Sequence, residues 1–339
     1  MRKQEHSSEA WKKMVLRSMP APAWLDQEAP HIDIAISSRV RYARNVSGYR
    51  FPTTAQPDEL KSVQKKIVDA AKTIDPPLDI HKRLTEAERD FLLGCRLISP
   101  DFQYRDQHRT LLLDKPRILS LMVNEEDHIR LQSLTAGYSI DTAEAVAQTT
   151  LRALAEKISY VRHEDWGWLA SSPVNSGEAR RRSALFHLIG LAHTKRLGNV
   201  LNALAAWGLT ARGLYGESSR AVGAFFQVSM TRGQMAEFRG ACEYLIGEER
   251  ISRREISRSE LRERTDQAVE FAIASKEISM ADALRVLAWV RWARTAGLDH
   301  WDGSPREVDH WISTMEVHGT QDAKTAARHR AIFLRERLE

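Results

Sequence analysis

Apolar residues recur along this chain with two different periods, and the switch between them marks out its elements. DELKSVQKKIVDAAKTI (58–74) has the spacing of an amphipathic helix. Thr85, followed three residues later by Glu88, forms a capping box that opens TEAERDFLLGC. PRILSLMVNEEDHIRLQSL (116–134) predicts a hairpin. Its first strand, Ile118 to Val123, is apolar except at Ser120, as expected of a strand buried on both faces. Asn124 to Asp127 makes the turn. His128, Arg130 and Gln132 then alternate with Ile129 and Leu131, which puts three polar side chains on one face. Asp141 is expected to cap a helix through Ile158, with Val146, Thr150, Ala153, Leu154 and Ile158 as its less polar stripe. Strands are also predicted around Leu209–Arg212 and Ala224–Ser229. Between them GLYGESSRAVG carries three glycines and reads as mobile. SSPVNSGEARRRS (171–183) is a turn followed by three arginines and the apolar run ALFHLIGLA. It predicts a helix start whose free N–H groups hold an anion.

Pro20, Pro22 and Pro30 break any long helix near the N-terminus, so residues 1–30 read as a mobile arm. After about residue 250 the chain turns helical and highly charged. Ser279 caps a helix with Asp282 three residues on. Ala283, Val286, Leu287, Val290 and Ala293 form its stripe, and Gly297 ends it. Trp289, Trp292 and Trp301 crowd this region, which predicts packing or a subunit contact. Strands and helices mix without a regular βαβ period. The expected fold is therefore α+β, a mainly antiparallel sheet flanked by helices over 31–248, with a smaller all-helical domain over 249–339.

Composition narrows the classes. The chain has 339 residues, 42% apolar and 28% charged, as in ordinary globular proteins. Its apolar runs fall far short of the roughly 20 residues a membrane helix needs. The N-terminus lacks the apolar core of a secretory signal. Cys95 and Cys242 make no disulfide framework, which points to a reducing cytoplasm. A net charge of +5 admits a polyanionic ligand. The positive residues are scattered among acids, which argues against nucleic acid and for nucleotide phosphates or an acidic partner.

Arginines recur at predicted strand ends. Arg39 and Arg41 in ISSRVRYARN are two apart on an extended segment and share a face. Arg130, Arg181 and Arg212 complete a set of five, suited to the roughly fourfold charge of a nucleoside triphosphate. Glu125 and Glu126 in NEED, and Glu217 in YGE, accompany them. His128 and His187 have no third partner at metal spacing. A P-loop, a kinase catalytic loop and a serine hydrolase elbow are all missing from the sequence.

In this order SSRVRYARN, LISPD, NEEDHIRLQ, P-x-N-x-G…R, and RGLYGE followed by FQVS resemble the phosphagen kinase superfamily, from about residue 33 to 245. Within it they are most similar to bacterial kinases of protein arginine. The helical tail, with LRERTDQAVEFAIASKEISMADALRVLAWVRWA, is similar to theirs. The large helical N-terminal domain of the small-molecule kinases is missing, which favours a protein substrate. The resemblance implies ATP and Mg²⁺, and transfer of the γ-phosphoryl group to exposed arginine side chains. Arg39, Arg41, Arg130, Arg181 and Arg212 would hold the triphosphate. Glu126 and Glu217 would clamp the guanidinium across one cleft, with Glu126 as base, and Glu125 would orient water around the Mg²⁺. A homodimer through the helical domain, and work beside a Clp unfoldase with an adaptor, are further implications.

The sequence departs from that family at several points. Ser172 stands where the family has a reactive cysteine, so a charged thiolate becomes a neutral hydroxyl. Asn175 and Gly177 keep the loop's pattern, but Glu178 introduces a carboxylate. It either faces phosphate or points outward and pairs with Arg182 on a helix, the arrangement favoured here. Arg96 replaces a histidine near the adenine, and a guanidinium also stacks on a base. Ala326 to Ala331 lack the Arg–Asp half of the family's phosphoarginine pocket. Two functions follow: an active protein arginine kinase, or a pseudokinase that binds nucleotide or arginine-bearing segments.

Overall fold

The computed structural model describes residues 19–103, 108–214, 222–317 and 322–339. Eight strands form one sheet: β1 (Ala35–Arg44), β2 (Asp79–His81), β3 (Thr110–Leu113), β4 (Leu119–Val123), β5 (Ile129–Ala136), β8 (Arg180–His187), β9 (Thr210–Gly213) and β10 (Phe225–Met230). Their order is β2-β3-β4-β5-β1-β8-β10-β9, and every pairing is antiparallel. A separate hairpin joins β6 (Arg162–His163) to β7 (Gly167–Trp168). The expected mainly antiparallel sheet flanked by helices is therefore present.

One face of the sheet is apolar along its length. Val40, Leu131, Phe186 and Val228 lie in a cluster with α1 (Pro57–Ala71), α4 (Ile140–Ala155), α6 (Leu197–Ala206) and α7 (Met235–Arg254). α2 (Glu86–Gly94) begins at the expected capping box, where the Thr85 side chain accepts from the Glu88 N–H. The short helices α3 (Pro100–Gln103) and α5 (Ile189–His193) lie between larger elements.

The other face is divided. At one end Ile36, Leu134, Leu185 and Phe225 join a second cluster with α8 (Arg258–Ala274), α9 (Met280–Thr295), α10 (Pro305–Thr314) and α11 (Ala323–Leu338). The C-terminal helices thus share an apolar core with the sheet, and residue 248 falls inside α7. A buried ion pair fastens them to the strand that carries the site. Arg291 donates to Asp309 at 2.8 Å and to the Asp33 and Ile32 carbonyls at 2.9 and 2.7 Å, just before β1. The tryptophans of this region pack. Trp292 is buried and Trp289 stacks on it at 5.7 Å.

Three local expectations are corrected. Residues 180–187 are a strand, not a helix, because Arg180–Phe186 pair with β1 and Phe225–Met230 pair on the other side. The loop before them therefore offers no helix N-terminus to an anion. Met19, Trp24 and Leu25 are buried in the core, so the end of the presumed arm is packed. α4 starts after Ser139, and its buried face is Ile140, Ala143, Ala147, Leu151 and Leu154 with Thr150. That face lies a step round the helix from the predicted stripe.

Candidate active site

The uncovered end of the divided face is a cleft of about 650 Å³. Strand alternation builds its floor. Arg39 and Arg41 on β1 lie on one face, and register places Gln132 and Arg181 opposite Arg41 on its two neighbours. Arg130 on β5, Gln227 on β10 and Arg212 on β9 extend the row. Seven arginines among the described residues line the cleft; Arg180 is held by Glu144 and Glu178, and the other six are 39, 41, 96, 130, 181 and 212. Cross-strand neighbours of like charge repel each other.

Among the described residues, the acids that line this cleft are Glu126 and Asp127. Burial first, and then Arg96, Arg130 and Arg181, push the Arg39 guanidinium down; Arg41 is pushed far down by burial and then by Arg39, Arg130 and Arg181. Arg181 is lowered by burial and by Arg212 and Arg130, and its buried Nε has no hydrogen-bond acceptor among the described residues. Arginine keeps its proton in proteins, so these shifts express burial of the charge first and repulsion by neighbouring guanidiniums second. Arg39 donates to the Gln227 carbonyl oxygen, a neutral partner that fixes its direction without cancelling its charge. Gln227 lies in the FQVS segment, where its polar position between Phe226 and Val228 was the available signal for a site residue.

Glu125 is fully engaged. Its two oxygens accept from Arg130 at 2.8 and 2.9 Å, from the Ser99 hydroxyl, and from the Glu126 N–H at 2.9 Å. Burial alone would raise its carboxyl, but Arg130, Ser99 and the Glu126 N–H bring it below the ordinary range. A carboxylate has about four lone-pair sites. In this geometry all are taken, so Glu125 serves first to hold Arg130, and it sits behind the cleft wall.

Glu126 is different. It is exposed at the cleft edge, and burial, Asp127 and Glu125 raise its carboxyl against the opposing pull of Arg130. The turn that holds it is tied to the loop at 171–179. Asp127 accepts from Asn45 at 2.7 Å and from the Ser171 N–H at 2.6 Å, while the Ser171 hydroxyl donates to the Glu126 carbonyl at 2.7 Å. Sequence reasoning assigned no role to Asp127, Asn45 or Ser171. Glu217, expected to face Glu126, lies outside the described residues.

The loop only partly joins the site. Asn175 lines the cleft; Ser172, Gly177 and Glu178 do not. Glu178 points outward, as favoured, but it pairs with Arg180 instead of Arg182. The reason is the strand. Arg180 and Arg182 point to the face opposite Arg181, where both grip Glu144, at 2.8 and 2.9 Å. Arg96 lines the cleft from a left-handed backbone (φ 61°), held by the Gln132 amide on its carbonyl at 2.8 Å. Its guanidinium lies 4.4 Å from the centre of the Trp24 ring. No group of three or more metal-ligating side chains occurs among the described residues.

The comparisons with known proteins converge. The family model described as ATP:guanido phosphotransferase, C-terminal catalytic domain, matches residues 61–234. The chain is 32% identical over 339 residues to the protein-arginine kinase of Shouchella clausii, covering 93% of this chain and 94% of that one. It is 35% identical over 266 residues to the protein-arginine kinase of Desulforamulus reducens, covering 74% of each. Among solved structures it is similar to lombricine kinase, with a TM-score of 0.59 and 19% identity over 74% of this chain and 79% of that one. The duplicated taurocyamine kinase of Schistosoma mansoni gives 0.59 and 21%, over 70% and 38%.

Proposed function

Because the chain belongs to the ATP:guanido phosphotransferase family, we propose that it transfers the γ-phosphoryl group of ATP to arginine side chains of proteins. The observation that carries this reading is the convergence of six guanidiniums on a cleft with a raised carboxyl at its edge. A triphosphate would bring negative charge to this cluster. Arg39, Arg41, Arg130, Arg181 and Arg212 fit that polyanion, since planar forks match pairs of phosphate oxygens. Arg96, whose guanidinium lies 4.4 Å from the centre of the Trp24 ring, is the cleft arginine suited to stack on the base of the nucleotide.

Glu126 is the group suited to accept the proton. A guanidinium is a poor nucleophile until a nitrogen loses its proton, as the N–P bond forms and the bond from the γ-phosphorus to the leaving oxygen of ADP breaks. A carboxyl lifted by burial and like charge is a better acceptor than an ordinary one. Glu217 is assigned the second side of the guanidinium clamp. Mg²⁺, when bound, would supply further charge neutralisation to the triphosphate. Glu125 supports this by fixing Arg130.

Glu178 no longer argues for a non-catalytic protein, because it is exposed and paired with Arg180. Residues 31–248 are assigned the catalytic unit and 249–339 the helical region. A homodimer through that region, a cytoplasmic setting, and action beside a Clp unfoldase with an adaptor complete the proposal by analogy. No helix among the described residues is long and apolar enough to cross a membrane. The test is incubation with Mg-ATP and an arginine-rich protein, with mass spectrometry of the product under neutral handling. Phosphoarginine from the wild type and none from Glu126→Gln is expected. The same yield from both, or none from either, would overturn the assignment.

A further inference from the structure

Two of the most exposed large apolar side chains stand on neighbouring turns that form a lip beside one wall of the cleft, though neither lines the cleft itself. Trp166, 66% exposed, is in the turn of the β6–β7 hairpin, and Val174, 72% exposed, is on the 3-10 turn of the neighbouring loop. A single exposed apolar residue needs no explanation, but these two belong to one stitched body. The Trp168 N–H donates to the Gly177 carbonyl at 2.8 Å, and the Gly177 N–H returns to Trp168 at 3.0 Å. Gly167, at φ 70°, lies so close that a Cβ there would meet the Gly177 oxygen at 2.6 Å. Arg44 seals the rear. Its guanidinium is 4.6 Å from the centre of the Trp168 ring and donates to the Glu178 and Ala179 carbonyls at 3.2 and 3.3 Å.

Trp166 itself is held in place. Its ring stacks on His163, with centroids 4.5 Å apart and planes 20° from parallel, while most of it stays open to solvent. A pre-ordered aromatic loses little rotamer freedom when a partner covers it, which makes it a good anchor. Exposed Glu164 and Asp165 precede it and give the lip an acidic flank that suits a basic chain. The loop that bears Val174 also gives Asn175 and Ala179 to the cleft wall, so the lip is continuous with the reaction site.

We infer that the Trp166–Val174 lip is the docking surface for the polypeptide flanking the target arginine, and that it selects segments with a large apolar residue beside that arginine. This rests on the protein-arginine reading above. Fluorescence anisotropy with two labelled short peptides tests it on the full chain. In one peptide a central arginine is flanked by Phe and Leu; in the other both flanks are Ser. The wild type should bind the apolar-flanked peptide about tenfold more tightly. Trp166→Ser/Val174→Ser should bind both peptides equally and weakly. Equal or undetectable binding by the wild type, or a preference kept by the double variant, would overturn the inference. So would a double variant that changes only the oligomeric state, since the lip would then be a contact between copies. Phosphotransfer to the same peptides is scored separately. Its absence from the wild type would remove the reaction while leaving the binding result readable.

Discussion

On β8, Ala184 and Phe186 point into one face of the sheet, and Arg181 and Ser183 point into the other. The first pair meets helices and is lost to water. The second belongs to a row of guanidiniums drawn from four strands. The apolar face lowers the free energy of the fold, because each buried side chain contributes about 1.5–3 kcal/mol. The cationic face opposes this, because burial first, and then the neighbouring Arg130 and Arg181, disfavour the charges of Arg39 and Arg41. One set of strands therefore builds stability on one side and a site for a polyanion on the other. The excess positive potential is what an ATP-shaped ligand relieves.

The comparison breaks most visibly at Arg181 and Phe186. Arg181→Met should reduce kcat about 10²–10³-fold, by loss of a charge aimed at the transferring phosphoryl group, and steady-state kinetics would show it. Phe186→Ala should instead cost about 3–5 kcal/mol of stability in denaturant unfolding, with near-normal kcat for the folded fraction. Equal effects on activity and stability from both would erase the distinction between the faces. A smaller effect concerns pH. In the proposed reaction Glu126, whose carboxyl is raised, acts deprotonated, so kcat/KM should climb with pH along a limb above the ordinary glutamate range. A limb at or below that range would remove Glu126 as the base. The smallest change is expected from Glu178→Ala. Arg180 keeps its bridge to Glu144, so kcat should shift by about threefold or less, within the range of a surface pair. A large gain would mean that Glu178 does repel phosphate.

Much of this was legible in the sequence because strand alternation is a local signal. Arg39 and Arg41, and Arg130 with Gln132, are readable as shared faces from their spacing alone. The capping box at Thr85 and the N-cap at Ser279 were equally local. Residues 180–187 were not legible, since a short apolar run has no period that separates strand from helix. Pairing with β1 and β10, distant in sequence, decided it. That error carried the Glu178 partner with it. Helix spacing favours residue 182, whereas in the strand Arg180 turns toward Glu178 and Arg182 toward Glu144. Trp24 was read as part of an arm because prolines are visible locally and the core it enters is not. Glu144 hid because a carboxylate on a buried helix face makes sense only beside the two arginines that satisfy it.

The most direct test is the thermal unfolding of the wild type and Arg181→Met, each with and without Mg-ATP. Unliganded Arg181→Met should melt higher than the wild type, because a repelling charge is gone. Mg-ATP at about 100 times its Kd should then stabilise the wild type by about 2.7 kcal/mol and the variant by far less. An unliganded variant that melts lower, together with equal stabilisation of both proteins by Mg-ATP, would contradict the account.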